Sequence, residues 1–200
     1  MPALPSPLPA PSIGDAPAIE AHTRAWVERA VVGLNLCPFA KAPMVKGQIR
    51  YVVSPASDVD ALCVQLSAEL LALAQCDPLR TETTLLIHPW VLEAFDEFND
   101  FLDVADACLE SLELDGVLQI ASFHPDYRFA GTSAGDITNA TNRSPYPTLH
   151  LLREDSIERA VAVLDGPQAV FEANIATLER LGTPGWAEIA RQCRRDAFGS

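Results

Sequence analysis

Two short apolar runs in the chain end in the same dipeptide, His-Pro. Residues 85–87 precede His88 and Pro89, and residues 120–123 precede His124 and Pro125. Each run has the length and composition of a buried strand, and proline ends a strand because it lacks the N–H that a ladder needs. In α/β folds, ligands bind beyond the carboxyl ends of strands. The two histidines are therefore predicted to lie at strand ends beside a site.

Strand patterns alternate with helical periodicity along most of the chain. Strands are predicted at residues 48–53, 83–87, 117–123 and 148–153, and helices at about 22–37, 59–74, 91–112, 156–164, 167–181 and 186–194. Strand-helix-strand crossovers make parallel pairs, whereas the last strand follows a long loop and is expected to be antiparallel. The predicted fold is a layered α/β domain, with helices packed on a mostly parallel sheet of about four strands.

Length and composition favour one domain. The chain has 200 residues, of which 48% are hydrophobic, enough for one well-buried core. Residues 1–20 are rich in Pro and Ala without periodicity and are predicted to form a disordered tail, leaving 21–200 as the domain. We expect a cytoplasmic protein, because no signal-peptide or membrane-spanning pattern is seen and the five cysteines lack disulfide-framework spacing.

The charge balance excludes two classes of partner. Acidic residues outnumber basic ones by 27 to 14, and a net charge of −13 repels nucleic acid and anionic membranes. Many of the acidic residues fall on the helix predicted at 91–112, where a solvated outer face is the usual arrangement. Two alternatives stay open: this face docks a basic partner, or Asp100 or Asp103 turns inward to the site.

His88 and His124 are the candidate catalytic pair, as acid and base or as metal ligands. If their strands were adjacent and parallel, the strand ends would lie about 5 Å apart. Cys37 is the candidate third ligand, and Cys with His suits zinc or iron. Cysteine followed by proline also occurs in haem-binding segments, so haem is the less favoured alternative. The opposing interpretation makes each histidine a structural cap and Cys37 a core residue.

The segment from 124 to 147 is long, has no clear strand or helix pattern, and is rich in directional polar groups. We interpret it as a binding loop, since long loops inside compact domains are usually functional. Asp126 is a candidate catalytic residue beside His124. The candidate substrate-binding residues are Arg128, Asn139, Asn142 and Arg143. Alternatively, these side chains tie down the loop. His150, between two leucines in its strand, is expected to be structural.

Three segments resemble the signatures of a bacterial family catalogued as domain of unknown function 1415. They are residues 33–40, 122–127 and 138–147. The likeness runs from about Thr23 to the C-terminal helices. It implies a bacterial, cytoplasmic context and adds no mechanism.

The working hypothesis is a small enzyme that acts on a small polar or anionic substrate. His88 and His124 would carry the chemistry, with a metal-dependent hydrolase or an oxidoreductase as the classes considered. The rival hypothesis is a non-catalytic binding or regulatory module that recruits a basic partner through the acidic helix.

Overall fold

The computed structural model describes residues 15–161 and 167–199. Helix α1 spans Ala16–Trp26 and continues into a π-helical segment, Val27–Val32. The elements that follow are α2 (Lys41–Val45), β1 (Ile49–Val53), α3 (Val59–Gln75), β2 (Thr83–Ile87), α4 (Phe95–Ser111), β3 (Leu118–Phe123), a 3-10 helix (Ile137–Asn142), β4 (Thr148–Arg153), α5 (Glu154–Val161) and α6 (Pro167–Phe198). All four predicted strands are confirmed, β2 and β4 with the predicted bounds.

The four strands form one mixed sheet in the order β1-β2-β4-β3. β1 and β2 are parallel, and β4 is antiparallel to both β2 and β3. The predicted antiparallel fourth strand is confirmed, but the prediction of a mostly parallel sheet is wrong. The physical reason is that β4 is inserted between β2 and β3. These two strands therefore run in the same direction without bonding to each other.

One face of the sheet is covered by α3 and α4. Leucines at four-residue spacing along α3, such as Leu62 and Leu66, are fully buried against Leu86, Leu149 and Leu151 of the central strands. The spacing places the leucines on a single stripe of the helix, so the stripe faces the sheet. Asp58 caps the first turn of α3, accepting a hydrogen bond of 2.8 Å from the N–H of Ala61.

The opposite face is covered by α1, its π-helical continuation and α6. Trp26 and Ala30 pack there with Leu85 of β2 and Cys193 of α6. The two predicted C-terminal helices follow each other within α6 and are separated at Gly182, whose backbone is not helical and whose φ is 64°. Glycine tolerates this left-handed conformation, and Pro184 just beyond it lacks an N–H for helical bonding. Helices therefore cover both faces of the sheet.

The starts of α1 and α4 lie several residues from the sequence predictions, and the π-helical continuation of α1 ends at Val32 rather than at residue 37. Helix α1 begins at Ala16, and Ile19 is 1% exposed against Ile87, so part of the segment predicted as tail belongs to the packed domain. Residues 1–14 of that tail, and the predicted end of the helix at 156–164, lie outside the described residues. Helix α4 begins at Phe95, after a turn in which Leu92 has a φ of 59°.

In the described ranges, no helix combines the length and the apolar character needed to cross a membrane.

Candidate functional site

His88 and His124 lie at the same edge of the sheet, as predicted from their strand ends. Both side chains are fully buried and both rings contact Phe98 of α4, with ring centroids 5.7 and 5.1 Å from it. Their strands are not adjacent, however. Because β4 lies between them, the strand ends are separated by two strand spacings, about 10 Å, rather than one.

The backbone fixes the tautomer of each ring. Nδ1 of His88 lies 3.0 Å from the carbonyl oxygen of Val91, which only accepts, so Nδ1 carries the proton. Nε2 of His88 is then the lone-pair nitrogen, and it is buried without a hydrogen-bond partner in the described structure. In His124, Nδ1 accepts from the N–H of Asp126 at 3.0 Å and Nε2 donates to the carbonyl of Leu92 at 3.3 Å.

Burial determines the charge state of both rings. It lowers the pKa of His88 to about 4 and also lowers the pKa of His124, so both are neutral at physiological pH. His124 uses both ring nitrogens on the backbone and retains no free lone pair. His88 retains one, on Nε2. An acid–base or metal-ligand role for the pair therefore requires His124 to give up a backbone hydrogen bond.

The structure does not bring Cys37 to the two histidines. Cys37 packs with the cluster of Trp26 and Leu85 on the other face of the sheet. Across residues 15–161 and 167–199, no group of three His, Cys, Asp or Glu side chains is arranged to hold a metal ion. The predicted donor set for zinc or iron is therefore not assembled here. Asp126 is exposed, and its backbone N–H donates to Nδ1 of His124.

The polar residues of the 124–147 loop bond to the loop and its neighbouring strand. Asn139 accepts from the N–H of Phe129 at 3.0 Å and donates to the carbonyl of Ser133 at 2.8 Å. Asn142 donates to the carbonyl of Ser122 at 3.1 Å. These amides fold the loop, which supports the structural interpretation of them. Their predicted role in substrate binding stays a prediction.

The two loop arginines are held in the same way. Arg143 donates to the carbonyls of Tyr127 at 3.3 Å and Ala134 at 2.7 Å. Arg128 pairs with Asp96 of α4 at 2.8 Å, and 87% of the Asp96 side chain is exposed. An exposed pair of this kind contributes little to stability. Binding of substrate by either arginine also stays a prediction.

The acidic residues of α4 lie on its solvent-facing side. Asp100 and Asp103 are both exposed, so the alternative in which either turns inward is wrong. The helix buries Phe98, Phe101 and Ala105 instead. The outer face is free to be solvated, and its use as a docking surface for a basic partner stays a prediction.

A cavity of about 590 Å³ lies on the other face of the sheet. Side chains of all four strands form its floor, and residues of the π-helical segment, of α2 and of the turn that contains Cys37 line it as well. Most of the lining is apolar, including Trp26, Val31, Phe39, Ile49, Leu85 and Phe123. Residues of α5 complete the lining, and the cavity is partly open to solvent. It is therefore accessible to a small molecule, unlike the buried histidine pair.

The polar floor of the cavity centres on His150 and Thr83. Nε2 of His150 lies 2.7 Å from Oγ1 of Thr83, which lies 2.6 Å from the carbonyl oxygen of Leu151. Burial lowers the pKa of His150 to about 4, so the ring is neutral. Within the described residues the His150 ring bonds through Nε2, and His150 lines the cavity.

The lining of the cavity includes three basic residues and one acidic residue, which we call the rim. The basic ones are Lys46, Arg153 and Arg159, and the acidic one is Glu82. Arg153 also donates through Nη2 to the carbonyls of Leu73, Cys76 and Thr81, at 2.7, 2.8 and 3.2 Å. It thereby satisfies carbonyls at the end of α3, which a helix leaves without internal partners.

Cys37 lines this cavity and is not activated. Burial raises the pKa of its thiol, so the thiolate that acts as a nucleophile is scarce at neutral pH. Sequence reasoning missed the cavity because its polar residues, Thr83 and His150, look like ordinary strand residues. The available signal was His150, which lies between two leucines in a strand. A histidine buried in a central strand needs an uncharged hydrogen-bond partner on its own face of the sheet.

Fold and cavity define a mixed α/β domain with an accessible, mainly apolar cavity on one face of its sheet. The chain belongs to the family described as Protein of unknown function (DUF1415), whose model matches residues 18–188. The resemblance seen in the three sequence segments is therefore confirmed. Comparison with curated proteins gave no match, and neither did comparison with solved structures.

Proposed function

We propose that the protein binds a small, largely apolar anion in the cavity, as an enzyme's substrate or as a ligand. The observation that carries this proposal is the combination of an apolar interior with a basic rim. At about 590 Å³, the cavity is within the range of small-molecule sites, roughly 300–1,000 Å³. Burying an apolar ligand there contributes about 25 cal/mol for each Å² removed from water.

The rim charge selects among apolar molecules. The chain as a whole carries −13, so its surface repels anions on average. Three cations and one carboxylate at the rim reverse that sign locally. Guanidinium and ammonium groups form strong, charge-assisted hydrogen bonds with carboxylates and phosphates. An anionic head at the rim and an apolar body inside match both features.

The chemistry available in the cavity is proton acceptance rather than covalent attack. Neutral His150 offers a lone pair, whereas burial raises the pKa of the Cys37 thiol and leaves little nucleophilic thiolate. If the protein is an enzyme, we expect His150 to accept a proton or a hydrogen bond from the substrate. A pKa near 4 makes it a weak base, which favours binding and positioning over rapid proton abstraction.

The proposal is tested with matched probes of opposite charge. We expect 3-phenylpropanoate to bind more tightly than 3-phenylpropylamine, measured by calorimetry at low salt. Ala40→Phe narrows the cavity and should weaken binding of 3-phenylpropanoate. Ala68→Phe, on the exposed side of α3, is the matched control. Equal affinity for the two probes, or an Ala40→Phe variant that binds as the parent does, would contradict the proposal.

A second candidate keeps the chemistry at His88 and His124. One observation favours it, namely that Nε2 of His88 is a buried acceptor with no partner in the described residues. A substrate donor reaching that atom would satisfy it, once the 89–94 turn moved aside. His88→Asn, which can still donate to the carbonyl of Val91, should then abolish ligand binding without unfolding the domain. Unchanged binding would reject this candidate.

A further inference from the structure

The polar floor of the cavity is a chain of three groups that ends at the backbone. Thr83 is 5% exposed, and its hydroxyl lies between the carbonyl of Leu151 at 2.6 Å and Nε2 of His150 at 2.7 Å. Both distances are those of hydrogen bonds. Each of the two contacts therefore needs one proton.

The number of available protons determines the donor in each of these two hydrogen bonds. A carbonyl oxygen has none, so the single hydroxyl proton of Thr83 goes to Leu151. The contact between Thr83 and His150 then takes its proton from the ring, and Nε2 is protonated. The opposite assignment would leave two oxygen lone pairs facing each other at 2.6 Å.

The remaining ring nitrogen follows from this assignment. A neutral imidazole carries one proton, so Nδ1 of His150 is an acceptor only. Apolar groups lie beside the ring of His150: the ring of Phe123 is 6.0 Å away between centroids, and Leu85 is the strand partner of His150. Nδ1 is thus a directional acceptor on a residue that lines a mainly apolar cavity.

We infer that the ligand of the cavity carries a hydroxyl or N–H group that donates a hydrogen bond to Nδ1 of His150. This inference rests on the proposed function and narrows it to hydroxylated or amide-bearing apolar anions. A site built to hydrogen-bond a substrate OH discriminates against the analogue that lacks it, because the protein group is then left unpaired. His150 and Thr83 are the residues that determine this specificity.

Two acids that differ by one hydroxyl test the inference. The parent protein should bind 3-(4-hydroxyphenyl)propanoate about 3–10 times more tightly than 3-phenylpropanoate, the range of one net hydrogen bond. His150→Phe should abolish the difference while retaining 3-phenylpropanoate binding. Thr83→Val removes the group that fixes the tautomer and should reduce the difference. Equal affinity of the parent for both acids would overturn the inference.

A measurement on the unmodified protein tests the inference without depending on whether the variants fold. Long-range ¹H–¹⁵N NMR of the imidazole should show Nδ1 of His150 unprotonated in the free protein. The Nδ1 resonance should move further on addition of the hydroxylated acid than on addition of 3-phenylpropanoate, which has no hydroxyl to donate to it. Protonation of Nδ1 would overturn the inference but not the proposed function. Failure of both acids to bind overturns the proposed function, and the inference with it.

Discussion

His88 and His124 contact one phenylalanine ring, that of Phe98, although the strands they end are separated by β4. Their ring N–H groups donate to the carbonyls of two consecutive residues, Val91 and Leu92. The two histidines thereby fix the turn between β2 and α4 against the edge of the sheet. This geometry also explains why α4 begins at Phe95, since the carbonyls of Val91 and Leu92 bond to the rings instead of to a helix.

Removal of the His88 ring should destabilise the domain through this turn. His88→Ala leaves the Val91 carbonyl unpaired and a gap beside Phe98, and we expect a loss of about 2–4 kcal/mol in the free energy of unfolding. His88→Asn retains a donor at the position of Nδ1 and should lose less. Urea unfolding measures both. Asp100→Asn, on the exposed side of α4, should stay within about 0.5 kcal/mol of the parent.

Stability should fall as the pH is lowered from about 6.5 towards 4. The pKa of His22, His88 and His150 is lowered by burial to about 4 in each case, so in this window the unfolded chain binds more protons than the folded one. The stability is fully present above the unfolded pKa and is lost as the pH falls to the folded pKa. Urea unfolding at pH 7.5 and 5.0 measures the loss.

The matched variant for this prediction is His88→Asn. It removes one titrating ring, so its stability should change less between pH 7.5 and 5.0 than that of the parent. An identical pH dependence for the two proteins would show that His88 does not contribute.

Substitutions of Arg153 distinguish its structural role at the cavity rim from the contribution of its charge to ligand binding. Arg153→Met removes the donors to three carbonyls beyond and at the end of α3, and we expect the free energy of unfolding to fall by about 1–3 kcal/mol. Arg153→Lys retains the charge but not the planar fork, so it should also be less stable while holding 3-phenylpropanoate better than Arg153→Met. Thermal unfolding and calorimetry measure the two effects. Similar ligand affinity in the two variants would exclude a charge contribution.

The thiol of Cys37 should react slowly. Burial raises its pKa, so at pH 8 its alkylation by iodoacetamide should be slower than that of N-acetylcysteine, followed by peptide mass spectrometry. Because Cys37 lines the cavity, 3-phenylpropanoate should slow the reaction further. Cys76, which does not line the cavity, is the internal control and should be unaffected by the ligand. Equal protection of both cysteines would contradict binding at this site.

The sequence was sufficient to predict the four strands and the long helices, but neither α2, nor the 3-10 helix at Ile137–Asn142, nor the order of the strands. Apolar periodicity depends on the residues of one element, so β2 and α3 were predicted almost to the residue. The insertion of β4 between β2 and β3 depends on long-range packing of Leu149 and Leu151. Such pairing leaves no mark in local spacing, because a buried central strand has the same apolar pattern in either direction.

The candidate site, like the fold, could be predicted from the sequence only where it depends on local residues. The strand-end position of His88 and His124 was predictable, because it follows from a local apolar run and a proline. Their partners were not, since the carbonyls of Val91 and Leu92 come from a turn that the helical pattern conceals. The cavity was also missed, because it is formed by the π-helical segment, the sheet and α5 together. No single segment carries its signature.

Binding in the cavity is tested most directly by methyl NMR of the native protein titrated with 3-phenylpropanoate. Val27, Val31 and Leu85 line the cavity, whereas Leu66 and Leu70 lie on the other face of the sheet and serve as internal controls. We predict saturable shifts of the first group with the second group unmoved. No saturable shift of Val27, Val31 and Leu85, or equal shifts on both faces, would contradict the account.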